Sequence, residues 1–330
     1  MEREKIFKLF QEKKYNKISK LSKSIIKNFI NDKEVHKIVI FSELNEKNFH
    51  KAYLVSRRLL DTIDDSETNY IHGNILKLQN KFKDAILFYE KAIKLNKNYF
   101  EAYNNLATSQ KKIGLTNDAF HNYKNAIKIK ENNLEANYNL GNLLYDEKRF
   151  DEAVKYFENV IKIDENFPQS YLFLGLINSV RGKFDIAKDF FLKAIRKDKF
   201  LSEAYVYYVS TRKIDKNDNI LSLLEDLIKD QSLHPKYEQD FSYALSKAYF
   251  DIEKIDLGFK YLKRAKNLYL KKINFSIEKE KESFKKVKEY FSVNKISNLV
   301  FNDTYKVNPI FILGMPRSGT SLLEQIISTH

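Results

Sequence analysis

The residues best suited to chemistry lie near the end of the printed sequence, in a short loop that contains two glycines. Gly314 and Gly319 are separated by four residues, Arg317 lies between them, and Thr320 and Ser321 follow. Free backbone N–H groups at the start of a helix, together with the positive end of the helix dipole, attract a phosphate or sulfate group. A guanidinium donates two parallel hydrogen bonds to such an anion. The spacing therefore predicts a loop that holds an oxyanion.

A strand before the loop and a helix after it are needed to hold it in place. Residues 310–314 form a continuous apolar run, typical of a strand buried in a parallel sheet, and residues 322–328 have the spacing of an amphipathic helix. Position 320 is threonine, where the phosphate loop of nucleoside triphosphatases has lysine. We therefore expect no magnesium-assisted hydrolysis of a nucleoside triphosphate. An ordinary Pro/Ser/Gly turn is the alternative, although a turn requires neither the strand nor the helix.

Most of the chain before this loop repeats with a period of 34 residues. Two rows of small residues and one row of rings recur in register. The first small row is Gly73, Ala107, Gly141 and Gly175, the second is Ala85, Ala119, Ala153 and Ala187, and the rings are Tyr89, Tyr123, Phe157 and Phe191. Small residues let two helices approach closely, and rings fill the space between units. The pattern predicts two antiparallel helices per unit.

The recurring residues resemble the tetratricopeptide repeat, which implies an all-α solenoid of helical pairs. Weaker units are expected on both sides, marked upstream by Phe49 and Ala52 and downstream by Gly258 and Ala265, with an irregular stretch over residues 213–236. The predicted organisation is degenerate helical repeats over residues 1–65, four tetratricopeptide repeats over 66–200, degenerate repeats over 201–272, a helical linker over 273–308, and the first strand, loop and helix of an incomplete α/β domain over 309–330.

In such a stack, the first helix of each pair faces a concave groove in which peptides bind. The candidates for this groove are Asn74, Asn105, Asn139 and Asn142. An asparagine side chain both donates and accepts hydrogen bonds, so a row of them can clamp an extended peptide backbone without reading its sequence. Ile71 and Phe173 interrupt the row, and solvated asparagines are the open alternative. Tyr138 and Tyr145 are interpreted as packing residues and not as a ligand cage.

Residues 309–330 look like the first motif of the sulfotransferases. The order of the parts resembles bacterial proteins in which a tetratricopeptide array precedes a domain related to protein-tyrosine sulfotransferases. The resemblance implies 3′-phosphoadenosine 5′-phosphosulfate as co-substrate. It assigns Arg317 to the phosphosulfate oxygens, Ser318 and Gly319 to the backbone cradle, and Thr320 and Ser321 to hydroxyl and N–H contacts. Ser321 departs from the threonine more usual in the family but keeps the hydroxyl.

Two classes of function follow from these features. The first is the N-terminal part of a sulfotransferase that transfers a sulfuryl group to an acceptor hydroxyl, with protein tyrosine as one candidate, while the solenoid binds a protein or peptide. The similar enzymes carry their catalytic carboxylate further along the chain. We therefore expect no catalytic residue within this sequence, no activity of this chain alone, and a longer enzyme of which it is a fragment. The second class is a non-catalytic scaffold for protein–protein interaction.

The composition excludes several other functions. The chain has 58 Lys+Arg against 44 Asp+Glu, a net charge of +14, but these charges are interspersed, so we expect no nucleic-acid partner. The absence of cysteine from the sequence rules out disulfides and thiolate chemistry. The 6 histidines lack metal-ligand spacing, so no metal is expected. No apolar run approaches the ~20 residues of a membrane span, and no export signal is recognisable, so a cytoplasmic location is predicted.

Overall fold

A computed structural model describes residues 2–230, 233–273 and 276–290. Within these ranges the chain forms 17 α-helices and no strand. The helices are α1 (Arg3–Gln11), α2 (Tyr15–Asn28), α3 (Lys33–Asn45), α4 (Phe49–Thr62), α5 (Ser66–Leu78), α6 (Phe82–Leu95), α7 (Phe100–Lys112), α8 (Thr116–Ile129), α9 (Leu134–Asp146), α10 (Phe150–Ile163), α11 (Pro168–Val180), α12 (Phe184–Lys197), α13 (Ser202–Ser210), α14 (Asn219–Leu227), α15 (Pro235–Asp251), α16 (Ile255–Lys272) and α17 (Ile277–Tyr290). The strand and loop predicted over residues 310–321 lie outside the described residues.

From α1 to α13 the helices follow one another as hairpins in which each helix packs on its neighbours in sequence, and α13 then packs on α15. The described residues up to Tyr269 form one compact unit, which contains every helix pair that the repeat pattern predicts. Those from Leu270 onward belong to a second unit that contains α17. No helix in the described part of the chain has the length and apolar character that crossing a bilayer requires.

One turn closes most of these hairpins. Each such turn contains a residue with positive φ, and these residues are Lys13, Lys47, Asn80, Gly114, Lys148, Gly182 and Glu253. The next N–H group donates to the carbonyl five residues earlier, as from Leu115 N to Gln110 O over 2.9 Å and from Lys183 N to Asn178 O over 2.9 Å. This pattern satisfies carbonyl groups that a helix end otherwise leaves without partners. The same turn at residues 13, 47 and 253 shows that the flanking hairpins share the backbone geometry of the central ones.

The rings of the second helices pack beneath the small residues of the first helices, as the pattern predicts. Tyr89, Phe157 and Phe191 are buried. A β-carbon added to Gly175 would lie 2.5 Å from Cε1 of Phe191, which is closer than van der Waals contact. The corresponding distance from Gly141 to Cε1 of Phe157 is 2.9 Å. The small residues are therefore required because the rings occupy the space that a side chain would need.

The structure differs from the sequence-based description over residues 213–236. The stretch over residues 213–236 contains a nine-residue helix, α14, with Asp218 accepting a hydrogen bond from the Ile220 backbone N–H. Its buried side chains are Ile220, Leu221, Leu224 and Leu227, a helical spacing that the 34-residue pattern does not include. Helix α17 lies within the predicted linker, and ion pairs along it join Lys286 to Glu282 over 2.8 Å and Lys285 to Glu289 over 3.9 Å.

His72 occupies the position at which the next three units have leucine. The side chain is buried, and its Nδ1 lies 2.8 Å from the Ser56 hydroxyl. Burial, assisted by the positive charge of Arg57, lowers the pKa of His72 to about 4. The folded protein therefore holds this imidazole in its neutral form at neutral pH.

The stability of the array is expected to depend on pH through His72. Because the pKa is about 6.5 in an unfolded chain and about 4 in the fold, the unfolded state binds more protons between these values. The stabilisation is complete above pH 6.5 and is lost as the pH falls towards 4, by about 2 kcal/mol at pH 5. We expect His72→Leu to remove this contribution from the difference between the free energies of unfolding measured in urea at pH 7 and at pH 5. An unchanged difference in the variant would contradict the assignment to His72.

Candidate ligand-binding groove

The first helices of successive pairs meet on one face, which we call the inner face. It is formed by α5, α7, α9, α11, α13 and α15. Direct contacts join α5 to α7 and α7 to α9, and the Lys111 ammonium on α7 pairs with Asp146 on α9 over 2.6 Å. On the opposite side, the second helices pack between consecutive first helices, as α6 does between α5 and α7. The inner face is therefore where side chains from several units converge and where an extended ligand can contact many units at once.

Asn105 is the centre of a polar cluster in the first half of the inner face. Its Nδ2 donates to Tyr70 Oη over 3.1 Å and to Asn74 Oδ1 over 2.8 Å. Its Oδ1 accepts from Lys77 Nζ over 2.8 Å, and Asn74 Oδ1 also accepts from Tyr89 Oη over 2.8 Å. Both amide hydrogens of Asn105 are thus donated within the protein. This side chain links α5 to α7 and has no N–H left for a peptide.

The other predicted asparagines are arranged differently. Asn139 donates to Asn104 Oδ1 over 3.1 Å, and Asn104 lies outside the predicted row of asparagines. Asn142 lies one turn further along α9, and its Oδ1 is buried without a hydrogen-bond partner within the described residues. The structure thus brings Asn74 and Asn105 into direct contact and leaves Asn139 and Asn142 apart from them. The binding of a peptide backbone by Asn74, Asn105, Asn139 and Asn142 stays a prediction.

Burial sets the protonation of this cluster. Burial raises the pKa of Tyr70 and of Tyr89, so both hydroxyl groups stay protonated. The Tyr89 hydroxyl donates to Asn74, and the Tyr70 oxygen accepts from Asn105. Burial lowers the pKa of Lys77, and the negative charge of Glu135 partly opposes this effect. The polar half of the inner face is therefore built from hydrogen bonds between neutral groups, together with one lysine whose charge is partly desolvated.

The second half of the inner face contains a pocket of about 560 Å³, which we call the aromatic pocket. Side chains from α9, α11, α13 and α15 line it, together with the loop before α13. The rings that contribute to it are Tyr138, Tyr145, Phe173, Phe200, Tyr207 and Tyr237. Leu172 and Leu176 add aliphatic surface. A concave site of this size, lined by aromatic rings together with polar groups, is typical of protein sites that hold a ligand or a large side chain.

The buried core holds the walls of the aromatic pocket in place. Phe173 stacks on the buried Phe157 with ring centroids 4.9 Å apart, and Tyr145 meets Phe173 edge-on at 5.1 Å. Across the pocket, Tyr207 stacks on the buried Phe191 at 5.8 Å. Aromatic pairs at these separations add to the stability gained from burial. The pocket is therefore preformed on the same rings that hold the helix pairs together.

An ion pair fixes the rim of the aromatic pocket. Lys236 Nζ lies 2.8 Å from Glu203 Oε1. Burial alone would raise the pKa of Glu203, but the hydrogen bond and charge of Lys236 outweigh it, so the pKa is lowered. The Asp198 carboxylate accepts from the Phe200 backbone N–H over 2.8 Å. The Glu203 carboxylate is therefore ionised, and the two hydrogen-bonded carboxylates form a polar edge of the pocket.

The sequence contained a signal for the aromatic pocket that its interpretation missed. Phe173 occupies the repeat position of Asn105 and Asn139, where it interrupts the asparagine row. It instead marks where the inner face changes from amide to aromatic side chains. Tyr138 and Tyr145 do pack between helices as predicted, but they also line the pocket. Tyr207 and Tyr237 belong to units too divergent for the 34-residue pattern to place.

The residues predicted to bind the co-substrate, Arg317, Ser318, Gly319, Thr320 and Ser321, lie outside the described residues. Within the ranges that are described, no group of three or more histidine, aspartate or glutamate side chains is placed to hold a metal ion.

Family models match three parts of the chain. A model described as tetratricopeptide repeat matches residues 134–167, and one described as TPR repeat matches residues 73–114. A model of the sulfotransferase family matches residues 309–330. The chain therefore contains tetratricopeptide repeats, and the sequence-based identification of the helical solenoid is confirmed. The sulfotransferase match covers a short segment and is a similarity confined to it.

Solved structures and one curated relative are similar to parts of the chain. The C-terminal part of a TPR repeat-containing protein from Cytophaga hutchinsonii is 17% identical, with a TM-score of 0.53, and the match covers 72% of this chain and 99% of that one. A tetratricopeptide repeat protein from Parabacteroides merdae is 15% identical, with a TM-score of 0.52, 76% of this chain and 96% of that one being covered. These likenesses concern the fold.

An uncharacterized protein from Aquifex aeolicus (strain VF5) is 28% identical over 113 residues. These residues are 34% of this chain, and the matched part spans 15% of the length of that relative.

Proposed function

We propose that the inner face binds an extended peptide segment of a partner protein and that the aromatic pocket takes one of its apolar side chains. The observation that carries this proposal is the preformed pocket of about 560 Å³, with rings from four first helices at its wall. Large apolar anchors in well-packed pockets contribute most of the affinity at peptide and protein interfaces. An aromatic or long aliphatic side chain matches this lining.

The open inner face favours a peptide over a compact small molecule. Asn139 shares α9 with the aromatic pocket and bonds to Asn104 on α7, the residue next to Asn105. An extended chain that is anchored in the pocket can therefore follow the face and meet polar side chains next. The ion pair between Lys236 and Glu203 supplies charged groups at the pocket rim for the peptide backbone.

We also propose that residues 309–330 begin a sulfotransferase domain that takes 3′-phosphoadenosine 5′-phosphosulfate as its co-substrate. The match to the sulfotransferase model and the spacing of Gly314 and Gly319 around Arg317 in the sequence support this proposal. In such a transfer, an acceptor oxygen forms a bond to sulfur, the bond from sulfur to the 5′-phosphate oxygen breaks, and a base takes the acceptor proton. The peptide on the inner face would supply the acceptor hydroxyl, and tyrosine is the candidate that the resemblance favours. The non-catalytic scaffold, with cytoplasmic localisation in either case, is the alternative.

Tyr207→Ala is expected to weaken peptide binding about fivefold to tenfold, because the ring is 40% exposed and contributes directly to the pocket wall. The probe is a peptide selected on the protein from a random phage-displayed library, synthesised with a fluorophore and titrated by fluorescence polarisation. We expect selected peptides to share an aromatic or long aliphatic residue.

Tyr243→Ala is the matched control, since Tyr243 is 49% exposed on α15 and is not part of the pocket. Equal loss in both variants, or no loss in Tyr207→Ala, would argue against the aromatic pocket as the anchor site.

A further inference from the structure

A second groove lies between α2 and α4, which are the second helices of two successive pairs. Its volume is about 760 Å³, and we call it the basic groove. Five cationic side chains line it: Lys20, Lys23 and Lys27 from α2, and Lys51 and Arg58 from α4. Its lining includes no carboxylate. None of the five cations forms an ion pair with any residue that the structure describes.

The charged side chains that line the basic groove are all positive, whereas the later second helices carry charges of both signs. Helix α2 contains four lysines and no acidic residue, and the acidic residue of α4, Asp61, lies 3.6 Å from Arg57, which is not part of the lining. The later second helices α6, α8, α10 and α12 each mix acidic and basic residues. Five like charges around one cleft produce a positive potential that an anionic partner would neutralise.

The floor of the basic groove is apolar. Ile26 is buried at the bottom, Val55 is half-buried, and Leu54 is 52% exposed beside them. Ser19 and Ser22 on α2 also line the cleft; both are buried, and the Ser19 hydroxyl donates to the buried Glu43 carboxylate over 2.8 Å. A ligand in this groove therefore meets hydrocarbon in the middle and ammonium or guanidinium groups on both sides.

We propose that the basic groove docks an acidic amphipathic helix of a partner protein. A third helix placed between two helices repeats the packing of the array itself, with an apolar stripe on the floor and carboxylates towards the lysines. A flat anionic membrane or a nucleic-acid duplex would reach the ends of the lysines but not Ile26 at the bottom of the cleft. Charge complementarity together with the apolar floor thus favours the helix.

The probe for the basic groove is a synthetic helical peptide of about 18 residues built from Glu, Ala and Leu, with leucines three and four residues apart and no basic residue. We expect it to bind the full chain with an affinity that falls as salt increases. The triple variant Lys20→Glu, Lys23→Glu, Arg58→Glu should bind at least about tenfold more weakly. The control triple variant is Lys94→Glu, Lys128→Glu, Lys162→Glu, which changes one repeat position on α6, α8 and α10 and should leave the affinity within about twofold.

Leu54→Gln tests the apolar floor separately from the charge. It should weaken binding of the amphipathic peptide about fivefold, whereas Leu87→Gln, at the equivalent position of the next second helix and 63% exposed, should not. Circular dichroism establishes that each variant is folded.

Three results would overturn the proposal: equal affinity for a peptide of the same composition with its leucines scattered, an unchanged affinity in the groove triple variant, or tighter binding of phosphatidylserine vesicles or duplex DNA that does not respond to Leu54→Gln.

Discussion

Replacement of Phe191 by alanine is expected to lower the free energy of unfolding by about 4 kcal/mol, the largest effect of a single substitution proposed for the array. The ring is fully buried and fills the space beneath Gly175 between α11 and α12. Its removal leaves a cavity that neighbouring helices can close only in part, because Gly175 has no side chain to offer. Urea unfolding followed by circular dichroism measures the loss.

Phe184→Ala on the same helix is the matched control. Phe184 is 52% exposed, so its loss should cost less than about 1 kcal/mol. Because Tyr207 stacks on Phe191, the Phe191 variant should also weaken binding at the aromatic pocket. Comparable destabilisation by both substitutions would show that the rings do not act as the buried contacts between helices.

Arg317→Ala is expected to weaken binding of adenosine 3′,5′-bisphosphate about 100-fold, since a bidentate guanidinium contributes two charge-assisted hydrogen bonds to the anion. The measurement is isothermal titration calorimetry on the protein produced from the complete gene. Arg317→Lys should give an intermediate loss because a lysine keeps the charge but not the paired geometry. Arg181→Ala, which removes a surface ion pair with Asp151, is the control and should leave the affinity unchanged.

The outcomes of this titration separate the two proposals for the chain. If the natural protein binds the nucleotide and the Arg317→Ala variant binds it equally well, Arg317 is not part of the nucleotide site. No binding by the natural protein would reject the sulfotransferase proposal and favour the non-catalytic scaffold. Peptide binding at the aromatic pocket is measured independently, so neither result affects it.

The helical solenoid could be predicted from the sequence because its packing depends on residue size at fixed intervals. Gly175 and Phe191 are sixteen residues apart and touch in the fold, and the same pair of positions recurs in each central unit. Short-range periodicity of this kind survives in the sequence even where most other positions vary. The turns, the order of the hairpins and the buried rings follow from it.

The binding surfaces were harder to predict because they depend on distances between units. Asn105 is a suitable peptide ligand by residue type, but only the structure shows that Tyr70 and Asn74 accept its hydrogens. The aromatic pocket requires Tyr138 and Tyr237 to be close although they are about a hundred residues apart in sequence. The basic groove likewise depends on α2 and α4 lying side by side, a placement that a net charge cannot reveal.

The recurrent turn between paired helices has a consequence for how this architecture can change length. Its hydrogen bonds are made within the hairpin, and five of its seven examples tolerate a residue other than glycine at positive φ. A duplicated or deleted hairpin would therefore bring its own closing turn with it. Gene duplication can extend or shorten such a molecule by whole units, and the number of sites along its inner face is free to evolve separately from their chemistry.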